Sequence, residues 1–246
     1  MNNNLLKDNE TLDDLQLKGL CIIQKKDAFR FGVDAVLLAN FARVKRGARV
    51  IDLCSGTGIV PFILSGKTQA GKIIGIEIQK DMVEMSIRTV KFNNMENIIE
   101  FVNRDLKDLN YLKSIPKADV VTVNPPYKLK GSGIINSKEK NAIARHEICC
   151  ELEDVIRAAK TVLRDNGKFY MIHRPDRMAD IICTMRQHGI EPKFIRMVQP
   201  SVNKAPNMLL IEGQNNGGRF LKWGVPVYIR ELDGSYSKEI DEIYGR

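Results

Sequence analysis

Short apolar runs alternate with longer stretches of helical period from about Arg49 to Arg174. The runs Arg49–Leu53, Lys72–Ile78, Ile98–Val102, Val120–Asn124 and Lys168–His173 are bounded by turn signals and read as buried strands. Between them, Ile59–Gly66, Lys80–Asn93 and Leu152–Arg164 place apolar residues at helical spacing. Strands alternating with helices predict an α/β protein with a mostly parallel sheet and right-handed crossovers. After a helix at about Met178–His188, the runs Phe194–Val198 and Met208–Glu212 are joined by Gln199–Asn207, which carries Pro200 and Pro206. That spacing predicts an antiparallel pair at the sheet edge. A small strand pair, Leu20–Gln24 with Ala28–Phe31, is expected ahead of the sheet, and a last strand over Val225–Glu231 before the turn Asp233-Gly234.

In such a sheet, ligands bind beyond the carboxyl ends of the strands. The chemistry of this chain gathers at those ends. Asn124-Pro125-Pro126-Tyr127 follows the apolar run Ala118–Val123. An amide, two residues without N–H donors and an aromatic ring suit the capture of a planar amino group. Read alone, the same residues make only a stiff turn. Upstream, Asp52-Leu53-Cys54-Ser55-Gly56-Thr57-Gly58 closes a strand with a glycine turn into a helix. The dinucleotide fingerprint requires a third glycine where this chain has Pro61. A nucleoside without phosphates therefore fits better than a pyrophosphate, and Asp52 suits a ligand ammonium. Glu77, nineteen residues after Gly58, is placed to take both hydroxyls of a ribose. Asp105, after Ile98–Val102, is placed to accept from an adenine amino group; the alternative for both acids is helix capping.

This ordered set resembles the class I S-adenosylmethionine-dependent methyltransferases that act on exocyclic or amide nitrogens. In the flanks, Phe29-Arg30-Phe31-Gly32-Val33-Asp34-Ala35-Val36-Leu37-Leu38-Ala39, Ala144-Arg145-His146-Glu147 and Gly234-Ser235-Tyr236-Ser237-Lys238-Glu239-Ile240 are similar to the bacterial tRNA1(Val) adenine-N6 methyltransferase family. The resemblance runs from about Leu12 to the tail. It implies a seven-stranded, mostly parallel Rossmann-like methyltransferase sheet with helices on both faces and an antiparallel edge hairpin. Residues 1–33 would form an extension lidding the cofactor, 34–217 the methyltransferase domain, and 218–246 an extension packed on it. The implied cofactor is S-adenosyl-L-methionine. Its contacts would come from Phe31 and Asp34, from Asp52 with Cys54, Ser55, Gly56 and Gly58, from Glu77 with Ile78, from Asp105 with Leu106, and from Asn124. Asn124, Pro125, Pro126 and Tyr127 would be catalytic; Tyr127, Lys128, Lys130, Arg145 and His146 would meet the RNA. The bland alternatives are that Phe31 is core, Asp34 a helix N-cap, and residues 128–146 a solvated loop and helix start.

Composition narrows the picture without deciding it. The chain has 246 residues, 43% hydrophobic and 28% charged, enough for one large α/β domain. No run approaches the ~20 apolar residues of a membrane span. Met1-Asn2-Asn3-Asn4 lacks the pattern of a signal peptide, so a cytoplasmic location is expected. Five cysteines without a CxxC pair and three scattered histidines predict free thiols and no metal. His173, after a strand, reads as structural. The formal charge of +8 favours a polyanion such as tRNA, here by resemblance the anticodon loop of a valine tRNA. The expected assembly is a monomer or a weak homodimer. Three alternatives stand beside this reading: a methyltransferase acting on a glutamine amide of a release factor, N6-adenine methylation of a different RNA, and a non-catalytic RNA-binding adaptor. By resemblance, release-factor enzymes usually carry an N-terminal helical domain, which the residues ahead of Asp34 here are not expected to supply.

Overall fold

The computed structural model describes residues 5–26, 32–126 and 150–245. Its centre is a sheet in which β3 (Arg49–Leu53), β4 (Lys72–Glu77), β5 (Ile99–Asn103), β6 (Ala118–Val123) and β7 (Leu163–His173) are parallel, in the order β7-β6-β3-β4-β5. On the β7 side, β9 (Met208–Asn215) inserts antiparallel, with β8 (Ile190–Gln199) outside it. These seven strands are the expected α/β core with its antiparallel hairpin. Two short strands, β10 (Lys222–Trp223) and β11 (Val227–Tyr228), extend the edge, both parallel to β8. Of the single strand expected over Val225–Glu231 only Val227–Tyr228 forms a strand; Lys222–Trp223 precedes that range, and Pro226, which has no N–H to donate, stands between the two.

Apolar side chains of the central strands alternate between two cores. Val50, Ile73, Phe101, Val120 and Tyr170 pack with α1 (Val33–Phe41), α2 (Ile59–Lys67), α3 (Lys80–Phe92) and Ile240 of α7 (Lys238–Tyr244). Ile51, Leu53, Ile76, Val121, Val123 and Met171 pack on the other face with α4 (Leu109–Ser114), α5 (Leu152–Val162) and α6 (Met178–Gln187). Strands buried on both faces read as near-continuous apolar runs, which is why they were legible in the sequence. Helix α5 ends earlier than its periodicity predicts, since Leu163 already pairs with Ala118 as the first residue of β7.

Ahead of the sheet lies an antiparallel strand pair. Cys21–Lys25 (β2) pairs antiparallel with β1 (Glu10–Asp14), upstream of it; Ala28–Phe31 lies outside the described residues. The sequence Glu10-Thr11-Leu12-Asp13-Asp14 has one apolar residue and no strand signal of its own. It is held from outside: Arg88 of α3 grips the buried Glu10 carboxylate through two bonds of 2.7 Å, and this pairing keeps Glu10 ionised below its ordinary range. The Ile23 N–H donates to Thr89 Oγ1, and Asn93 brackets the Cys21 backbone at both N–H and carbonyl. The hairpin is thus seated on α3.

Candidate active site

Strand β3 ends in a turn that is unfavourable for ordinary residues. Cys54, Gly56 and Gly58 have φ of 55°, 54° and 84°. Gly58, which starts α2, is glycine for two reasons: the left-handed backbone, and a close approach in which an added Cβ would stand 2.3 Å from the Phe101 ring. At Gly56 an added Cβ would meet nothing within 4 Å, so this turn faces open space. Pro61 occupies the first turn of α2, where a missing N–H is tolerated. It also removes one donor that a phosphate would use there.

The turn is braced from below by Asp52. This residue is 2% exposed, and its carboxylate accepts from Ser55 Oγ at 2.7 Å and from Thr122 Oγ1 at 2.6 Å. Burial pushes its carboxyl up to about 7, against the pull of the two hydroxyls, with Glu77 adding repulsion. Thr122 was missed in the sequence, although a hydroxyl inside the valine-rich run of β6 was a usable signal. On the neighbouring strand Glu77 is also buried; Oε2 accepts the Gly56 N–H at 2.8 Å and Oε1 accepts from Gln79 N at 2.9 Å. Each carboxylate oxygen offers more than one acceptor site, so two hydroxyls of a ribose still fit there. Asn103, another residue not foreseen, donates to the carbonyls of Glu77 and Ile78 and fixes the end of β4. Ile78 is 41% exposed beside them, an apolar surface suited to a flat ring.

Asp105 and Leu106 follow β5. The Asp105 carboxylate accepts from Lys107 N at 2.8 Å and organises its own turn, while Leu106 is buried in the core. Asp105 is not a helix cap: Asp108 caps α4, accepting from Tyr111 N. Asp34 is likewise not an N-cap. It lies in the first turn of α1 behind Gly32, and Asn124 Nδ2 donates to its Oδ2 at 3.0 Å. A carboxylate can only accept, so this bond sets which end of the Asn124 amide faces α1 and turns the amide oxygen the opposite way. Pro125 is buried and Pro126 half-buried after it.

Cys54 and Cys150 are free thiols that shift each other: Cys150, with burial adding, pushes Cys54 well above its ordinary range, while Cys54 draws Cys150 down. His173, at the end of β7, is buried and its Nδ1 accepts from Arg174 N; burial first, then Arg177, depresses it to about 4, so it is neutral. Phe31, Tyr127, Lys128, Lys130, Arg145 and His146 lie outside the described residues.

The structure therefore brings Asp52, Ser55, Gly56, Gly58, Glu77, Asp34 and Asn124 to one end of the sheet, since β6, β3 and β4 are adjacent and in register at Val123, Leu53 and Ile76. The geometry offers a cradle for a nucleoside cation beside an amide whose acceptor is oriented.

Residues 44–216 match the family described as a methyltransferase domain. The tRNA1(Val) (adenine(37)-N6)-methyltransferase of Tolumonas auensis is 24% identical over 230 residues, covering 92% of this chain and 94% of that protein. Its counterpart in Parabacteroides distasonis is 25% identical over 197 residues, covering 80% and 81%. Among solved structures, a predicted O-methyltransferase of Agrobacterium tumefaciens shares the fold with a TM-score of 0.70 at 20% identity, covering 86% of this chain and 95% of that one.

Proposed function

This chain belongs to the methyltransferase-domain family, whose donor is S-adenosyl-L-methionine, and from that premise we propose that it methylates N6 of an adenosine in tRNA, beside the anticodon of a valine tRNA. The observation that carries the reading is the Asn124 amide, held by Asp34 at the end of β6 next to the glycine turn. The likeness, over 80% and 92% of this chain, to enzymes named for that reaction supports it.

The cradle fits the donor: open space at Gly56, the Glu77 carboxylate for ribose hydroxyls, exposed Ile78 for the adenine, and the Asp52 charge beneath the turn for a cation. When bound, the cofactor supplies an electrophilic methyl on a positive sulfur. The remaining task of the protein is to make a delocalised amine nucleophilic. Asn124 Oδ1 and the Pro125 carbonyl accept the two amine hydrogens, drawing the nitrogen out of conjugation and stabilising the positive charge that develops on it. Prolines at 125 and 126 present no N–H to compete. Asp34 keeps the amide from turning its NH2 towards the amine. Alignment of the nitrogen with the methyl supplies much of the acceleration, up to ~7–11 kcal/mol for well-oriented groups. Tyr127 stacks on the base, Asp105 accepts from the cofactor adenine beside Leu106, and Lys128, Lys130, Arg145 and His146 meet the RNA. Residues 1–33 would lid the cofactor, with the hairpin among them held on α3 by Arg88 and Thr89. Among the described residues no helix is long and apolar enough to cross a membrane, and a cytoplasmic enzyme acting as a monomer or weak dimer accords with this reading.

The test is transfer of labelled methyl to bulk tRNA and, separately, to release factor. Label in tRNA that digests to N6-methyladenosine supports the proposal. Label in protein would assign the amide chemistry instead, and label in neither would leave a binding protein.

A further inference from the structure

The edge of the sheet beyond β8 carries an exposed strap whose composition differs from the rest of the surface. From 213 to 230 the chain has three cations, Arg219, Lys222 and Arg230, and no acid. Phe220 is 86% exposed, Trp223 59% and Val225 75%. Cation and aromatic alternate in Arg219-Phe220-Leu221-Lys222-Trp223, the pairing that binds nucleotides by phosphate attraction and base stacking.

The strap is not a loose tail. Lys193 Nζ donates to the carbonyls of Gly218 at 2.7 Å and Arg219 at 2.9 Å, Gly224 N donates to Ile195 O at 2.7 Å, and Arg196 Nε donates to Val225 O at 2.7 Å. Gly224 allows this close approach, since a Cβ there would stand 2.5 Å from the Phe194 ring. Phe220 has φ of 84°, a conformation that a residue with a Cβ rarely adopts, and it points the ring into solvent. Lys193 and Arg196 thus serve to hold the backbone. Arg219 and Lys222 are exposed and have no ion-pair partner among the described residues.

Register ties the strap to the active site. Trp223 pairs with Ile195, Ile195 with Ile211, Ile211 with Met171, and Met171 with Val123. One transverse row therefore runs from Trp223 to the residue preceding Asn124. Four strand spacings put the two ends roughly 19 Å apart, and the strap runs parallel to β6. The residues between, Ile195, Ile211 and Met171, are buried, so a polynucleotide with one base at Asn124 would cross the end of the sheet to bring its flanking nucleotides to the strap.

We propose that Phe220 and Trp223, with Arg219 and Lys222, form an RNA-docking surface that holds nucleotides flanking the target adenosine. This rests on the tRNA reading above. The net charge of +8 and the absence of acids in the strap match a polyanion. A second copy of this basic strap would repel it.

The test uses full-length protein and a tRNA that the wild type methylates. Trp223→Ala combined with Phe220→Ala should raise KM for tRNA about tenfold or more, with kcat at saturation and cofactor affinity by calorimetry unchanged. Arg219→Gln combined with Lys222→Gln should reduce the salt slope of tRNA affinity by about two. Thermal melts of all variants should match the wild type, because these side chains are exposed. Wild-type KM and salt slope in both variants would overturn the proposal. So would loss of a dimer by ultracentrifugation with tRNA affinity intact, which would make the strap an interface between copies. Failure of the wild type to methylate any tRNA would instead refute the underlying function.

Discussion

The two sides of the proposed crevice, one for the cofactor and one for the acceptor, are built differently. The cofactor side is part of the core: Gly58 is packed against Phe101, Asp52 is sealed between Ser55 and Thr122, and Glu77 is tied to the Gly56 backbone. The acceptor side rests on one half-buried amide whose orientation is set by the hydrogen bond that it donates to Asp34 of a different element, α1. Damage to the first should therefore lower stability and cofactor binding together, whereas damage to the second should lower turnover alone. The difference reflects the tasks: a preformed cradle needs rigidity, and an acceptor needs only correct aim.

The sharpest test of this contrast is Asn124→Ala. Removing a preorganised acceptor should reduce kcat by about 100- to 1,000-fold, with cofactor affinity and melting temperature unchanged. A parallel loss of cofactor binding would erase the distinction. On the other side, Gly58→Ala must strain a φ of 84° and displace the Phe101 ring, so we expect a loss of about 2–4 kcal/mol in urea unfolding together with cofactor binding.

Asp34→Ala should fall between the two. Losing a hydrogen bond to a charged group frees the amide to turn, lowering kcat about tenfold or somewhat more, with the cofactor dissociation constant little changed. A large rise in that constant instead would move Asp34 to the cofactor side of the comparison.

The smallest effect concerns pH. The Asp52 carboxyl is raised from 3.8 to about 7 by burial. A raised acid stabilises the fold fully below its unfolded value, and that contribution is lost as pH rises through the folded one. Without cofactor, the melting temperature of the wild type should fall relative to Asp52→Asn between about pH 4 and pH 8. A cationic ligand favours the ionised form, so cofactor affinity should rise with pH across the same upper range in the wild type and stay flat in the variant. Identical profiles for the two proteins would remove Asp52 from the charge balance of the site.

Most of the central sheet and much of the cradle were legible in advance, for one reason. Strands buried on both faces must be apolar throughout, so the polar residues that end them stand out: Asp52, Glu77 and Asn124. What the sequence withheld were the partners. Thr122 under Asp52, Asp34 beside Asn124 and Phe101 against Gly58 are separated from their partners by 70, 90 and 43 positions. Nor did the sequence show Glu10–Asp14 as a partner of Cys21–Lys25, because that segment has no apolar pattern and is held by Arg88.

By itself, then, the sequence determined the alternation of elements, the motif-bearing strand ends and the resemblance that pointed to methyl transfer. Local periodicity and turn chemistry act over a few residues and can be read directly. Only the tertiary structure decided that Asp34 aims the amide, that Asp52 is shared between a turn and a neighbouring strand, and that an exposed aromatic strap lies on the row of the active site. Each of those depends on strand order and register, which bring distant residues together and leave no mark on the spacing along the chain.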